Sequence, residues 1–253
     1  MIVPRILSIA GSDSGGGAGI QADIRTITML GGHAMSAITA ITAQNSRGVS
    51  AVHAVPTDMV LAQIVAVLDD FGADAIKIGM IGNADTARAV AQLLGGRMTG
   101  PIVFDPVMVA SSGAALADQA TIAAFGELMD IATLTTPNLP ELAALGGEAR
   151  VLGHGTALLI KGGHGSDAIL TDSLVDGSGE VARWSDARID TSHTHGTGCT
   201  LASAIAVGLA EGRPLAEAIG RARRFVRLAL KRAPDLVPVN GPMGHMFVDR
   251  NEL

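Results

Sequence analysis

A single cysteine stands in the 253-residue chain, tyrosine is absent, and aromatic residues make up only 2% of it. One cysteine excludes an internal disulfide framework and a cysteine-built zinc cluster. With so few rings, any core must be packed from aliphatic side chains, and the 48% hydrophobic content supplies them. Excess positive charge is also missing. The formal net charge of −6 argues against a nucleic-acid partner, whose footprint is a basic face. No apolar run approaches the ~20 residues of a membrane-spanning helix, so no membrane partner is expected. The opening MIVPRILSIAG lacks the charged, apolar, small-residue order of a signal peptide. The expected location is therefore the reducing cytoplasm, and the expected partner is a small molecule.

Short aliphatic runs, in contrast, are plentiful. RILSIAG (5–11), MSAITAIT (35–42), DAIKIGMI (74–81), PIVFDPV (101–107), IATLTTP (131–137) and ALLIKGG (157–163) mostly lack polar alternation, as strands covered on both faces do. Helical patterns separate them. Ile20, Ile24 and Ile27 recur at helical spacing, residues 58–71 follow Thr57, and residues 84–95 follow Asn83, both candidate N-caps. Residues 166–184 read as two strands joined at Asp176-Gly177. The stretch 214–232 starts with Pro214 at the first helical position and turns Leu215, Ile219, Ala222, Val226 and Leu230 inward, leaving its arginines on a solvated face. No repeat or linker divides the chain. The expectation is one α/β domain over residues 1–253, a mostly parallel central sheet with helices on both faces and a ligand outside the carboxyl ends of its strands.

Polar and glycine-rich residues follow each predicted strand: GSDSGGGAGIQAD (11–23), AQN (43–45), GM (79–80), DPVM (105–108), TPNLPE (136–141) and KGGH (161–164). The first loop is neither a P-loop, which ends in glycine, lysine and a hydroxyl residue, nor a dinucleotide fingerprint, because Ile20 replaces the third glycine. Without side chains at Gly15 to Gly17, backbone N–H groups can approach a ligand, and Asp23 can meet a hydroxyl or amino group. THGTGC (194–199) opens a helix. There Gly196, Thr197, Gly198 and Cys199 offer N–H groups to an anion, a suitable hole for a transferring phosphoryl group. At such a helix end the Cys199 thiolate is expected to be favoured, with a pKa below the usual ~8.5, and to serve as a base. The bland alternative is a small buried hydrophobe. His193, His195 and Cys199 lack the further partners a metal site needs.

These blocks, with ITAITAQNSRGV, AIKIGMIG, FDPVM, LLIKGGH and the tail GPMGHMF, resemble in order and spacing the hydroxymethylpyrimidine/phosphomethylpyrimidine kinases of thiamine biosynthesis. Those enzymes have the ribokinase-like fold. The resemblance covers residues 5 to 247, and cysteine at 199, where most of the wider superfamily carries aspartate, points to the vitamin-kinase branch. It implies ATP as co-substrate, magnesium, an aminopyrimidine substrate and a homodimer. It also implies that Gln44 reads the aminopyrimidine edge, with Asp23, Gly11, Met80 and Val107 around the ring. Asn138 and Lys161 belong to the ATP site, and Arg223 stands where some members place a lysine near ATP. Asp105 and Glu141 sit near the metal, Cys199 is the base, and residues 196–199 form the anion hole. Each residue has a structural alternative: core packing for Met80 and Val107, a strand-end acid for Asp105, helix caps for Asn138 and Glu141, and a buried amide for Gln44. The competing functions are a pyridoxal or pyridoxine kinase and a silent pyrimidine-binding regulator. One departure is that the chain between Asn138 and Lys161 is shorter than usual for the family by roughly a helix, although residues 139–156 still suffice for the dozen or more that a parallel connection needs.

Overall fold

The computed structural model describes residues 3–110, 113–163 and 168–253. Among them one nine-stranded sheet runs in the order β3-β2-β1-β4-β5-β6-β7-β8-β9. The six strands at its centre are mutually parallel: β2 (His33–Asn45), β1 (Arg5–Asp13), β4 (Ala75–Ile78), β5 (Ile102–Phe104), β6 (Leu134–Thr135) and β7 (Ala157–Ile160). β3 (Gly48–Ala54) joins one side antiparallel, and the hairpin of β8 (Ile169–Asp176) and β9 (Gly179–Ala187) joins the other.

Successive side chains along each strand point to opposite faces, and both faces are apolar. Leu7, Ile9, Ile76, Ile78 and Phe104 pack on Val60, Ile64, Val90, Leu94 and Phe125 from α2 (Thr57–Asp70), α3 (Ala84–Gly95) and α4 (Gln119–Ile131). Ile6, Ala75, Val103, Leu134 and Leu159 pack on Ile27, Ile205, Ile219 and Phe225 from α1 (Gly19–Met29), α7 (Thr197–Ala210) and α8 (Leu215–Lys231). Each such side chain larger than alanine contributes about 1.5–3 kcal/mol by leaving water. The scarce rings are used where a large filler is needed: Phe104 and Phe125 meet edge to face at 5.2 Å.

The mostly parallel sheet and its two helical layers agree with the sequence reading, and several details differ. The 35–42 run extends to Asn45 and folds back as β3, for which the sequence reading names no strand. The run 131–137 yields only Leu134 and Thr135 as strand, because Ile131 still belongs to α4. Thr57 is a helical residue rather than a cap, its hydroxyl 2.8 Å from that of Thr86, whereas Asn83 does cap α3 by accepting from the Thr86 amide. Pro214 precedes α8 as its N-cap. Ile24 is exposed. Arg221 and Arg223, expected on or near a solvated face, are buried and paired, Arg221 with Glu211. The short crossover is made by two small helices, α5 (Leu139–Ala144) and α6 (Glu148–Leu152), in place of one full helix. Residues 166–167 of the predicted hairpin and His164 of KGGH lie outside the described residues.

Candidate active site

The carboxyl ends of the parallel strands carry the charged groups. Asp105 follows β5 and is 2% exposed. Its Oδ1 lies 2.7 Å from Lys161 Nζ, just past β7, and accepts from the Thr136 hydroxyl at 3.0 Å. The same ammonium is 3.9 Å from Glu141 Oε2. Glu141 is placed by a reciprocal cap on α5: the Asn138 amide N–H donates to Glu141 Oε2 and Asn138 Oδ1 accepts from the Glu141 N–H, both at 2.8 Å. The capping alternative for Asn138 and Glu141 therefore describes their local geometry. That geometry also brings Glu141 to Lys161, whose own N–H donates to the Pro137 carbonyl.

Burial would raise the Asp105 pKa, but Lys161, then Lys77, and the Thr136 hydroxyl hold its carboxyl below the usual range. Glu141 is pushed upward by burial, against the pull of Lys161 and with the help of the Asp105 charge. Burial opposes the charge of Lys161, yet Asp105 and Glu141 raise it. A buried acidic pair bridged by one cation is thus ready to meet further positive charge. Among the described residues no group of three His, Cys, Asp or Glu side chains could hold a metal alone. Two carboxylates suit magnesium, which keeps several waters and takes phosphate oxygens instead of a complete protein cage.

Beside this pair, α7 begins. A Cβ on Gly198 would lie 3.3 Å from Asp105 Oδ2 and 3.5 Å from Lys161 Nζ, so the first turn of the helix abuts the acidic pair. Gly196 is its N-cap with φ 82° and no capping side chain. Only glycine fits there: the left-handed conformation is joined by a close approach in which a Cβ would come 1.9 Å from the Gly17 carbonyl oxygen. Gly17 is constrained in return, since a Cβ on it would meet His195 Cδ2 at 2.4 Å. The two glycine-rich motifs are the halves of one contact. The thiol of Cys199 reverses the expectation of a favoured thiolate. Burial pushes it up to about 11, with Asp23 and Asp105 adding to the rise and the Lys77 charge opposing it. Desolvation outweighs the helix terminus.

Asp23 stands apart from the other predicted pocket residues. It is fully buried, with Oδ2 accepting from Ser8 Oγ at 2.6 Å and Lys77 Nζ at 2.9 Å, and Oδ1 from Ser203 Oγ at 2.8 Å. It ties β1, α1, β4 and α7 together behind the site. Met80 Sδ packs on Gly11, where a Cβ would come within 2.9 Å. Val107 turns just beyond Asp105, its N–H donating to the Asp105 carbonyl. Gln44, near the end of β2, has its side-chain amide 3.3 Å from His195 Nε2, and that same nitrogen is 2.9 Å from Asp13 Oδ2.

Arg223 is held by Asp172 at 2.7 Å and Asp186 at 3.0 Å, 5.8 Å from the Trp184 ring. Because Asp172 Oδ1 also accepts from the Gly162 N–H, one carboxylate joins Arg223 to the residue after Lys161. A groove of about 540 Å³ lies on this α8 and β9 flank and includes Arg223, Trp184 and Arg227. Lys161, Asp105 and Cys199 are not among its lining residues. Sequence reasoning missed Lys77, Asp13, Thr136 and His195 as site-building residues. A lone lysine inside the aliphatic run AIKIGMI was a legible signal; the others were not separable from loop polarity.

The family model described as phosphomethylpyrimidine kinase matches residues 13–244. The hydroxymethylpyrimidine/phosphomethylpyrimidine kinase of Streptomyces coelicolor is 46% identical over 258 residues, covering 96% of this chain and 94% of that one. The thiamine biosynthesis multifunctional protein ThiED of Corynebacterium efficiens is 41% identical over 267 residues, and there the match covers 99% of this chain but only 36% of the relative. Among solved structures, the pyridoxal kinase of Staphylococcus aureus in complex with pyridoxal, a ribokinase-like fold, superposes with a TM-score of 0.89 at 30% identity, covering 99% of this chain and 96% of that one. Complexes of the same kinase with ADP and with AMP-PCP superpose equally well. The chain belongs to the phosphomethylpyrimidine kinase family.

Proposed function

We propose that the chain is a single-domain, ATP- and magnesium-dependent kinase acting on the hydroxymethyl group of 4-amino-5-hydroxymethyl-2-methylpyrimidine and then on the resulting monophosphate. The observation that carries this reading is the meeting of Asp105, Lys161 and Glu141 with the uncapped first turn of α7, which bears Cys199. Asp105 and Glu141 would hold magnesium, which when bound would supply charge neutralisation for the phosphates. Lys161 and Asn138 line the nucleotide's phosphates, with Arg223 beyond them. Gly196, Gly198 and Cys199 offer their N–H groups to the phosphoryl oxygens, where they stabilise the developing charge, while the Thr197 N–H, expected among them, donates to the Thr194 carbonyl and shapes the turn. In the first transfer, as the substrate oxygen bonds to the γ-phosphorus and the bond to ADP breaks, the hydroxyl proton passes to the Cys199 thiolate, which becomes the thiol. At a pKa of about 11 only about one thiol in ten thousand is ionised at pH 7, so Lys77, the cation that favours the thiolate, matters to the rate.

Gln44 offers a donor and an acceptor to the pyrimidine edge, while Gly11, Met80 and Val107 line the ring and Asp23 braces the pocket from behind. The protein works as a cytoplasmic homodimer, as the family resemblance implies. The test is ADP release with magnesium-ATP and, separately, hydroxymethylpyrimidine, its monophosphate, pyridoxal and no acceptor. Turnover with both pyrimidines is expected. Turnover with pyridoxal alone would replace this substrate, and none above the blank would end the kinase reading.

A further inference from the structure

We infer that His195, held by Asp13, is a positioning residue that locks the side-chain amide of Gln44 in one orientation and so sets which hydrogen-bonding pattern the pyrimidine pocket accepts. The pyrimidine in this inference rests on the function proposed above; the orientation of Gln44 does not.

Proton counting carries the argument. Asp13 is 4% exposed, and its carboxylate accepts from the N–H groups of Gly15, Gly17 and Ala18 at 2.8 to 2.9 Å. Three backbone donors make it an ionised acceptor. The nitrogen 2.9 Å from its Oδ2, His195 Nε2, must therefore carry the proton between them. A protonated ring nitrogen has no lone pair left, so the Gln44 atom beside it has to be an acceptor.

The structure sets the Gln44 amide nitrogen 3.3 Å from His195 Nε2 and the amide oxygen 3.2 Å from Thr42 Oγ1. Amide nitrogen and oxygen have the same shape, and the network decides between them. At the Thr42 end the hydroxyl is also 3.0 Å from the Ser12 carbonyl oxygen, which can only accept. The single Thr42 proton goes to Ser12, leaving a lone pair toward Gln44. Both neighbours then ask for the same thing: the Gln44 oxygen toward His195 and its NH2 toward Thr42. Turning the amide over replaces a clash of two donors at one end with an oxygen that shares the Nε2 proton with Asp13, and supplies the missing donor at the other.

A 4-aminopyrimidine presents a ring nitrogen that accepts beside an amine that donates. Its 4-oxo counterpart presents the reverse, a ring N–H beside a carbonyl. A freely turning amide can satisfy either, whereas an amide held by Asp13 and His195 satisfies one.

The experiment is titration calorimetry of wild type and His195→Phe with hydroxymethylpyrimidine and with its 4-oxo counterpart. Wild type is expected to prefer the amine by about a hundredfold, the size of one mismatched pair of buried groups. In the variant that preference is expected to fall below about tenfold, with the oxo compound gaining as the amine loses. Equal weakening of both with the ratio kept, or no preference in wild type, would overturn the inference. If wild type binds neither pyrimidine, the functional reading fails, and the orientation is judged separately by long-range 1H–15N spectra of the wild-type imidazoles. A proton on Nε2 of His195 is expected there; a ring protonated only at Nδ1 refutes the mechanism, also in the case that the variant does not fold.

Discussion

Lys77→Met tests the least expected feature of the molecule. The ammonium of Lys77 and the carboxylate of Asp23 are both at 0% side-chain exposure and 2.9 Å apart, with the Ser8 and Ser203 hydroxyls completing the shell of the carboxylate. The period of β4 places Lys77 on the sheet face covered by α7 and α1, away from water. The Asp23 and neighbouring charges raise Lys77 against its burial, so the ion pair is the form in which the pair exists. Replacing the lysine leaves a carboxylate with two hydroxyls and no counter-charge, a loss of about 3–5 kcal/mol. That is about a fifth or more of the stability of an ordinary domain, and at roughly 2–4 °C per kcal/mol for a chain of this size it lowers Tm by roughly 6–20 °C. Lys77→Met with Asp23→Leu removes both charges and is expected to recover about half of this, leaving a deficit of about 1–3 kcal/mol from the orphaned hydroxyls. Urea unfolding of wild type, both single variants and the double variant closes the cycle. A cost below about 1 kcal/mol for Lys77→Met, or a double variant equal to the sum of the singles, would refute the buried pair.

Cys199→Ala is expected to lower kcat about 100-fold with little change in pyrimidine binding, and near-normal turnover would remove the base from its role. Because the thiol is pushed up to about 11, kcat/KM of wild type should climb from pH 7 to pH 9; a plateau below pH 8 would contradict the burial argument. Gly196→Ala must displace the Gly17 carbonyl, which a Cβ would approach to 1.9 Å, and steady-state kinetics should show a larger fall in kcat than rise in pyrimidine KM. His245, 2% exposed, donates from Nδ1 to the Met243 carbonyl and accepts from the Thr200 hydroxyl at 2.8 Å, and burial lowers its pKa to about 4. The folded state therefore binds fewer protons than the unfolded state between about pH 4 and the unfolded value near 6.5; stability is full above that window and falls by about 3 kcal/mol as pH drops through it. Urea titrations from pH 7 to 4.5 measure the slope, which His245→Gln should flatten.

The aliphatic runs were legible because strands covered on both faces carry few polar residues, Ser8 and Lys77 being exceptions, and the polar residues after them were legible because a parallel sheet gathers its site at one end. β3 was not, since its burial is low throughout and a strand exposed on its outer side carries no hydrophobic period. Arg221 and Arg223 misled for a different reason: a helical wheel shows where a charge points, not whether Glu211, Asp172 or Asp186 waits there. The Cys199 thiol was misjudged because a helix N-terminus can be read from THGTGC, whereas the desolvation that opposes it comes from the packing of α7, in which Thr200 through Gly208 are all buried.

That burial has a further consequence for how the site holds its shape. A helix apolar on nearly every side has no polar stripe to fix its rotation, so its register must come from its ends. At the first turn the anchors are the Gly17 to Gly196 contact, the Asp13 bond to His195, and the Thr200 to His245 bond reaching from the tail; one turn on, Ser203 bonds Asp23. All four lie within two turns of the proposed anion hole. The loop after β1 thus serves both ends of the chemistry: Asp13 holds the histidine beside the pyrimidine amide, and the backbone that Asp13 orders abuts the glycine that starts the phosphate-binding turn. Loosening that loop would move the acceptor pocket and the anion hole together, which is why a glycine-rich segment here is rigid in function although glycine alone makes a chain flexible.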